Sequence, residues 1–335
     1  MGWKVSSAQE KVTEVTKASI AVFLVIAIVL TLITWAIEKT TRIGAYGLEF
    51  PLVGFLLGLA ISVTLKPPRE IFKRLNPWIP IDASLIILGL LAGFDRLGAF
   101  GGQAGIIVVA NLAAALVIGM FLAYKLGLDE RFSATFVSGA SICGISAAIA
   151  TGRAANAEFA HLVIAMLLIA IVGSPFAVAL ALLAPNLGNV GGALVGGVVD
   201  GTPVVKAIAD NLPEKLAEIA LGIKYAQNCL IPIVAIILAY VASRHGGYEA
   251  RLPLAVLLML IASIIATFIT LPPDIEASLH AARNWLLAFA MVLAGMATPI
   301  EALKKPGVKA AILVFIVIEI VNIIVVYALA SQLLA

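Results

Sequence analysis

The sequence predicts an all-α polytopic membrane protein with about eleven transmembrane helices. Of its 335 residues, 62% are hydrophobic and 12% are charged, whereas soluble domains have roughly 45–50% apolar and 25% charged residues. Long apolar runs alternate with short polar or Gly/Pro-containing breaks, and about 20 mostly apolar residues suffice to cross a bilayer as a helix. Lys and Arg also fall unevenly on the two sides of these runs. A lipid bilayer is therefore the first expected partner.

The apolar runs divide the chain into a polar N-terminal segment, residues 1–17, and a single transmembrane domain, residues 18–335. The first run is too long for the core of a signal peptide, so we interpret it as a membrane helix. In order, the predicted helices cover residues 18–37, 47–65, 77–95, 104–124, 133–151, 159–184, 188–211, 216–243, 252–270, 284–300 and 308–333.

The distribution of basic residues predicts the orientation of these helices. With eleven crossings, the side of the N-terminus holds 14 of the 22 Lys and Arg residues, the opposite side holds 7, and Lys224 lies within a helix. Basic loops stay in the cytoplasm. We therefore expect a multi-pass protein of the inner (plasma) membrane, with a cytoplasmic N-terminus and an external C-terminus.

One of two likenesses within the chain favours inverted repeats, which many transporters contain. The tripeptide Leu-Ala-Gly ends the third predicted helix at residues 91–93 and the tenth at residues 293–295, and these helices run in opposite directions. A second likeness, at a spacing of 57 residues, pairs Gly139, Gly144 and Pro175 with Gly196, Gly201 and Pro232. Helices five and seven are two crossings apart and so are predicted to be parallel, which does not fit a simple inverted pair.

The fifth predicted helix carries small and hydroxyl-bearing residues at its centre. Ser141, Cys143, Gly144 and Ser146 lie in the run 138–146. Glycines allow the backbone to unwind, and the freed backbone groups and hydroxyls could then line an ion or anion site. Close packing of helices through small residues explains the run equally well. We take these four residues as candidates for substrate binding.

The seventh predicted helix places a carboxylate beside residues that break helices. Asp200 is followed by Gly201, Thr202 and Pro203. A charge near the bilayer centre is costly, so it normally faces a partner, the bundle interior or a water-filled cavity. Asp200, with Thr202, is the candidate site for a coupling sodium ion or proton. If this segment is instead a hairpin or lies at the membrane edge, Asp200 becomes a helix cap.

The eighth predicted helix brings Lys224, Gln227 and Asn228 close to one face. Lys224 could be the counter-ion of Asp200 or an anion ligand, and snorkelling toward the interface is the alternative. We take Lys224 and Asn228 as further candidates for substrate binding. Other polar residues within the apolar runs, which have structural explanations too, are Asp82, Glu319 and Asn322.

Several classes of function are not expected. No Lys/Arg cluster with interleaved aromatic residues predicts a nucleic-acid partner. Cys143 and Cys229 lie in apolar segments without a CxxC motif, and the three histidines are scattered, so neither a disulfide nor a metal site is expected. No catalytic arrangement is apparent. We expect no enzyme activity and no cofactor beyond sodium or protons as a coupling ion.

At these residues the chain resembles the sulfate exporter family, itself similar to a branch of the bile acid and arsenite transporter superfamily. The likeness is carried by residues 141–147, by Gly127-Leu128-Asp129 before them and Thr151 after them, and by the late block from 293–295 through 302–307. The resemblance implies secondary transport and broken, crossed helices near the bilayer midplane. It implies that residues 141–144 interrupt one of these helices.

The chain also departs from that family. Asp200-Gly201 stands in place of a His-Glu pair, and the family's arginines are represented by Asp82, Leu91 and residues near Ala226. The departures remove the obvious anion ligands, so the sequence leaves open whether the sulfate label applies to this chain. The run Asp-Gly-Thr-Pro at 200–203 is similar to the Asp-Gly-Pro-Thr motif of the membrane subunits of sodium-pumping decarboxylases, in which the Asp helps to bind sodium.

We therefore expect a secondary transporter of a small solute, with an anion as one option, coupled to sodium or protons. A passive channel and a non-transport membrane subunit that binds a partner are the alternatives. A homo-oligomer is left open. Neither the solute nor the direction of its transport can be predicted from the sequence.

Overall fold

The computed structural model describes residues 16–41, 50–248, 252–303 and 307–334, which form helices joined by short connections, with no strand in these ranges. The α-helices of the described ranges are α1 (Lys17–Thr41), α2 (Phe50–Leu65), α3 (Arg69–Leu75), α4 (Trp78–Leu91), α5 (Gln103–Lys125), α6 (Glu130–Ser141), α7 (Ile145–Ala154), α8 (Phe159–Leu183), α9 (Asn189–Val198), α10 (Thr202–Ala209), α11 (Glu214–Cys229), α12 (Ile231–Gly246), α13 (Leu254–Ala266), α14 (Pro273–Ala297) and α15 (Val308–Leu333). Three short 3-10 helices, Phe94–Gly102, Ala184–Leu187 and Ile300–Leu303, join some of them.

The all-α membrane architecture predicted from the sequence is confirmed, but the count of eleven crossings is not. Within the described ranges, six helical stretches are long and apolar enough to cross a membrane: α1, the stretch Arg69–Gly98 that contains α3 and α4, α5, α8, α14 and α15. α11 and α12 meet at a 46° bend and together make a seventh. α2, α9 and α13 are shorter apolar helices.

The helices pack as two bundles. In the first bundle, α2 lies against α14, α4 lies between α13 and α14, and α1 crosses α2 and α14. The second bundle contains α5 to α12 and α15, with α15 packed against both α5 and α9. The bundles meet through the Asp82–Arg153 ion pair, whose Nε–Oδ1 and Nη2–Oδ2 distances are 2.7 and 2.9 Å, and through the stacked rings of Trp78 and Phe159. Asp82 therefore joins the bundles.

α6 and α7 form a hairpin, which we call hairpin A, and do not continue as one helix. Thr151 Oγ1 donates to Ser138 Oγ across the two arms at 2.6 Å. At the open end, Arg131 Nη1 donates to the carbonyl of Asn156 at 3.0 Å. Since both ends of this segment lie on the same side, the predicted fifth crossing is wrong. Gly144 permits the reversal because its φ of +69° is a conformation that side chains disfavour.

α9 and α10 form a second, wider hairpin, hairpin B. α9 runs parallel to α11, with Gly192 beside Leu216 and Gly196 beside Ala220. A Cβ on Gly196 would lie 2.3 Å from the carbonyl oxygen of Ala220, so only glycine allows this approach. Because α11 starts level with the start of α9, α10 must run back toward the side from which α9 entered. The predicted seventh crossing is wrong for the same reason as the fifth.

The two hairpins enter from opposite sides. α8 separates them, and its 25 residues span about 37 Å at 1.5 Å per residue. The 57-residue likeness follows this geometry: Gly139 and Gly196 each lie two residues before the end of a first arm, and Gly144 and Gly201 cap the second arms. Pro175 lies in α8, which follows hairpin A, and Pro232 lies at the start of α12, after α11. These units are therefore inverted, and the expected parallel orientation was wrong because neither hairpin crosses the membrane.

Candidate functional site

The tips of the two hairpins meet inside the second bundle. Hairpin A turns at residues 142–144 and hairpin B at residues 199–201, and a Cβ placed on Gly144 would lie 3.5 Å from the Cβ of Asp200. Each tip ends one short helix and begins another. Carbonyls at helix C-termini and amides at helix N-termini lack partners within their own helices. The contact between the tips therefore brings both kinds of polar backbone group to one place.

A cavity of about 600 Å³ opens beside this contact. Its walls are mostly apolar side chains of α8 and α10, and its inner end is formed by Gly144, Asp200 and Gly201. It extends along both helices toward Pro185 and Leu212, on the side from which hairpin B enters. An apolar cavity with a few polar groups at one end is the usual form of a small-molecule site.

Gly173 of α8 has no side chain, and this leaves space for the carboxylate of Asp200 at the cavity. A Cβ at Gly173 would lie 3.2 Å from Oδ2 of Asp200 and 3.3 Å from the ring of Phe315. Asp200 is half-buried and lies at the cavity surface. It directly precedes Gly201, the N-cap of α10, where no side-chain capping bond is formed. Of the predicted site residues, Asp200 and Gly144 are the two that line the cavity.

Lys224 is fully buried outside the cavity lining, and its hydrogen bonds link the two hairpins. Its Nζ donates to the carbonyl of Ile142 at 2.7 Å and to Oε1 of Gln227 at 2.7 Å. Ile142 lies in the break of hairpin A. Gln227 Nε2 then donates to the carbonyl of Gly197 in α9 at 3.0 Å, and Asn111 Nδ2 donates to the same carbonyl at 3.2 Å. Buried ammonium and amide groups of this kind require such partners.

The remaining predicted residues lie around the tips without lining the cavity. Asn228 Nδ2 donates to Oγ1 of Thr202 at 3.2 Å, which fastens the start of α10 to the end of α11. Ser146 accepts a bond from Arg283 of α14. Ser141 and Cys143 are buried, and Oγ of Ser141 has no hydrogen-bond partner among the described residues.

Two polar residues at the tips were missed by the sequence analysis. Asn111 is an amide inside the apolar helix α5, where the sequence gave no reason to single it out. Arg283 was assigned to a loop, whereas it lies in α14 and reaches Ser146. Arg283 lies two residues before the apolar run that starts at Trp285, so it could have been considered as part of a longer helix.

The described ranges contain no group of three or more His, Cys, Asp or Glu side chains that could hold a metal ion. Both cysteines are buried, and neither forms a disulfide in the described part of the chain.

Comparison with known proteins gives a family but no activity. A family model described as Conserved hypothetical protein 698 matches residues 10–314. UPF0324 membrane protein RB9488 of Rhodopirellula baltica is 28% identical over 310 residues, which are 84% of this chain and 56% of that protein. UPF0324 inner membrane protein YeiH of Escherichia coli K12 is 24% identical over 275 residues, 77% of this chain and 78% of that protein.

A UPF0324 membrane protein of Nitratidesulfovibrio vulgaris is 29% identical over 272 residues, 72% of this chain and 47% of that protein. The chain thus spans about half of the length of the Rhodopirellula and Nitratidesulfovibrio relatives. No solved structure matches. From the family match and the helical architecture, the chain is a polytopic α-helical membrane protein that belongs to the Conserved hypothetical protein 698 family.

Proposed function

We propose that this protein is a secondary transporter that carries a small solute across the membrane and couples its movement to sodium or protons. The observation that carries the proposal is the meeting of two hairpins, entered from opposite sides, at a cavity that ends on Asp200. Inverted units with broken helices and a site near the midplane are the usual construction of secondary transporters. A carboxylate inside a bundle of apolar membrane helices is costly, and such a residue is most often functional.

The cavity favours an organic solute over sulfate. Its walls carry residues such as Met166, Ile169 and Ala177, which suit an apolar body. The first-turn amides of α7 and α10 open near the inner end, and helix N-termini favour negative groups. An organic anion is therefore the first class to test. The sulfate exporter label and a place in the bile acid and arsenite transporter superfamily stay predictions, as do the coupling ion and the sides of the two termini.

Transport can be measured with purified protein in proteoliposomes. Short carboxylates, amino acids and sulfate would be screened first by thermal stabilisation, since a bound ligand raises the unfolding temperature. Uptake of the stabilising compounds would then be followed with and without sodium and pH gradients. Uptake that proceeds equally without a gradient, with single-channel conductance in planar bilayers, would show a channel instead.

Asp200→Asn should abolish coupled uptake, because it removes the carboxylate from the cavity with little change in shape. The matched control is Asp210→Asn, which makes the same change on an exposed residue just after α10 and should retain uptake. Intact coupled uptake by Asp200→Asn would reject the role given to this residue. A complete absence of uptake by the wild-type protein for the whole panel would count against the transport proposal.

A further inference from the structure

Behind hairpin B, a group of buried oxygen atoms lacks hydrogen-bond donors. Glu319 and Asn322 of α15 are each 1% exposed, and Asn111 of α5 is fully buried. Within the described part of the chain, both carboxylate oxygens of Glu319 and the amide oxygens of Asn322 and Asn111 have no partner. Leaving a buried acceptor without a donor or a cation is costly. No described residue donates a hydrogen bond to these four oxygen atoms.

These side chains face the same part of α9. Phe315, Glu319, Asn322 and Val326 follow at spacings of four, three and four residues, so they share one face of α15. Phe315 lies at the level of Asp200, since both approach Gly173 at the positions given above, and Val326 packs on Gly197, where a Cβ would lie 2.8 Å from its Cγ2. Glu319 and Asn322 are therefore placed between the tip of hairpin B and the last turn of α9.

The last turn of α9 adds partial negative charge to the region around Glu319 and Asn322. Asn111 reaches it through the bond to the carbonyl of Gly197. The final carbonyls of a helix lack intrahelical donors and carry the negative end of the helix dipole. Three side chains from α5 and α15 therefore bring oxygen atoms without partners among the described residues to the region of the last turn of α9.

The balance of charge near Glu319 also favours a bound cation. The charged groups that act most on the Glu319 carboxyl are Asp200 and Lys224. With both carboxyl groups ionised, one ammonium group offsets two negative charges. The Nζ of Lys224 is also bonded to Ile142 and Gln227. A buried excess of negative charge requires a proton or a metal cation.

We propose that a sodium ion binds between α15 and the C-terminal end of α9, with oxygen atoms of Glu319, Asn322 and Asn111 as ligands. Oxygen-only ligands suit a hard cation, and the carbonyl ends of broken helices serve sodium in this way in other membrane proteins. The site lies behind hairpin B, apart from the solute cavity and from the sodium or proton site that the sequence predicts at Asp200 and Thr202. It is tested by binding and does not depend on transport.

The test is the thermal unfolding of the purified protein in detergent, in sodium, potassium and choline chloride at equal ionic strength. Sodium should raise the unfolding temperature in a saturable manner, and choline should not. Glu319→Gln and Asn322→Ala should weaken the apparent sodium affinity by about tenfold or more, because each removes an oxygen ligand or its charge. The matched control is Ser263→Ala, which removes a buried hydroxyl that also lacks a partner among the described residues but lies in α13 of the first bundle.

Equal unfolding temperatures of the wild-type protein in sodium and in choline, at both acidic and alkaline pH, would overturn the proposal. So would stabilisation by acid alone with no effect of sodium, which would show that a proton neutralises Glu319. The wild-type measurement keeps the test decisive if a variant fails to fold. Sodium binding by a protein that transports none of the solutes tested would leave this site standing and count only against the transport proposal.

Discussion

Hairpins A and B have the same plan but differ in how their arms are held. In hairpin A the arms pack on each other through Ser138 and Thr151, and nearly all of their residues are buried. In hairpin B the arms diverge, and α10 forms one wall of the cavity. Across the 57-residue spacing, Cys143 at one tip corresponds to Asp200 at the other. The comparison indicates that hairpin A supports the site, whereas hairpin B supplies its charge and its open wall.

The largest expected effect is a difference in the side of the membrane from which cysteines at the open ends of the two hairpins can be labelled. Asn156→Cys and Asn211→Cys place an exposed thiol at the open end of hairpin A and of hairpin B, respectively. With two hairpins separated by α8, a membrane-impermeant maleimide should label these thiols from opposite sides of the membrane. With eleven crossings both would be labelled from one side. The native cysteines are buried, so the wild-type protein serves as the unlabelled control.

The link between the hairpins is tested by Lys224→Met. This change leaves the carbonyl of Ile142 and the amide of Gln227 without their charged partner, and loss of one member of such a buried group costs about 3 kcal/mol or more. The unfolding temperature in detergent should fall sharply. Lys215→Met, an exposed position at the start of the same helix, should leave it nearly unchanged. Equal behaviour of the two variants would show that the link adds no stability.

A smaller difference in stability is expected between alanine substitutions at the two hairpin tips. Gly144→Ala forces a side chain into a left-handed conformation, which costs about 1–2 kcal/mol. Gly201→Ala, at the corresponding position, should have little backbone cost, because φ there is −74°. Thermal unfolding of the two variants compares the costs directly. A larger loss for Gly201→Ala would contradict the difference drawn between the tips.

Much of this architecture follows from the sequence. Apolar runs predict the membrane helices, and the Gly and Pro residues predict both breaks, near 139–146 and 199–205. The reversal at each break could not be predicted, because a glycine break is compatible with an unwound crossing helix and with a hairpin. Contacts between distant residues, such as Thr151 with Ser138, decide between them.

The candidate site was predicted in part. A carboxylate next to Gly and Pro marked Asp200, and glycine spacing marked Gly144. Lys224 was expected to face Asp200 or an anion, whereas it also bonds the carbonyl of Ile142, a backbone acceptor that only the hairpin exposes. Glu319 was assigned a structural role at least as readily as a functional one, since its distance from α9 cannot be derived from spacing along α15.

The bond between Lys224 and Ile142 also imposes an order on biosynthesis. The two residues are 82 positions apart in the chain, so hairpin A emerges from the ribosome well before the ammonium group that satisfies its open carbonyl. Hairpin B, with Asp200, is likewise completed before Lys224 is made. A nascent chain that stops short of α11 should therefore fail to keep either tip within the bilayer, and integration of this region should become stable only after the eighth apolar segment has been translated.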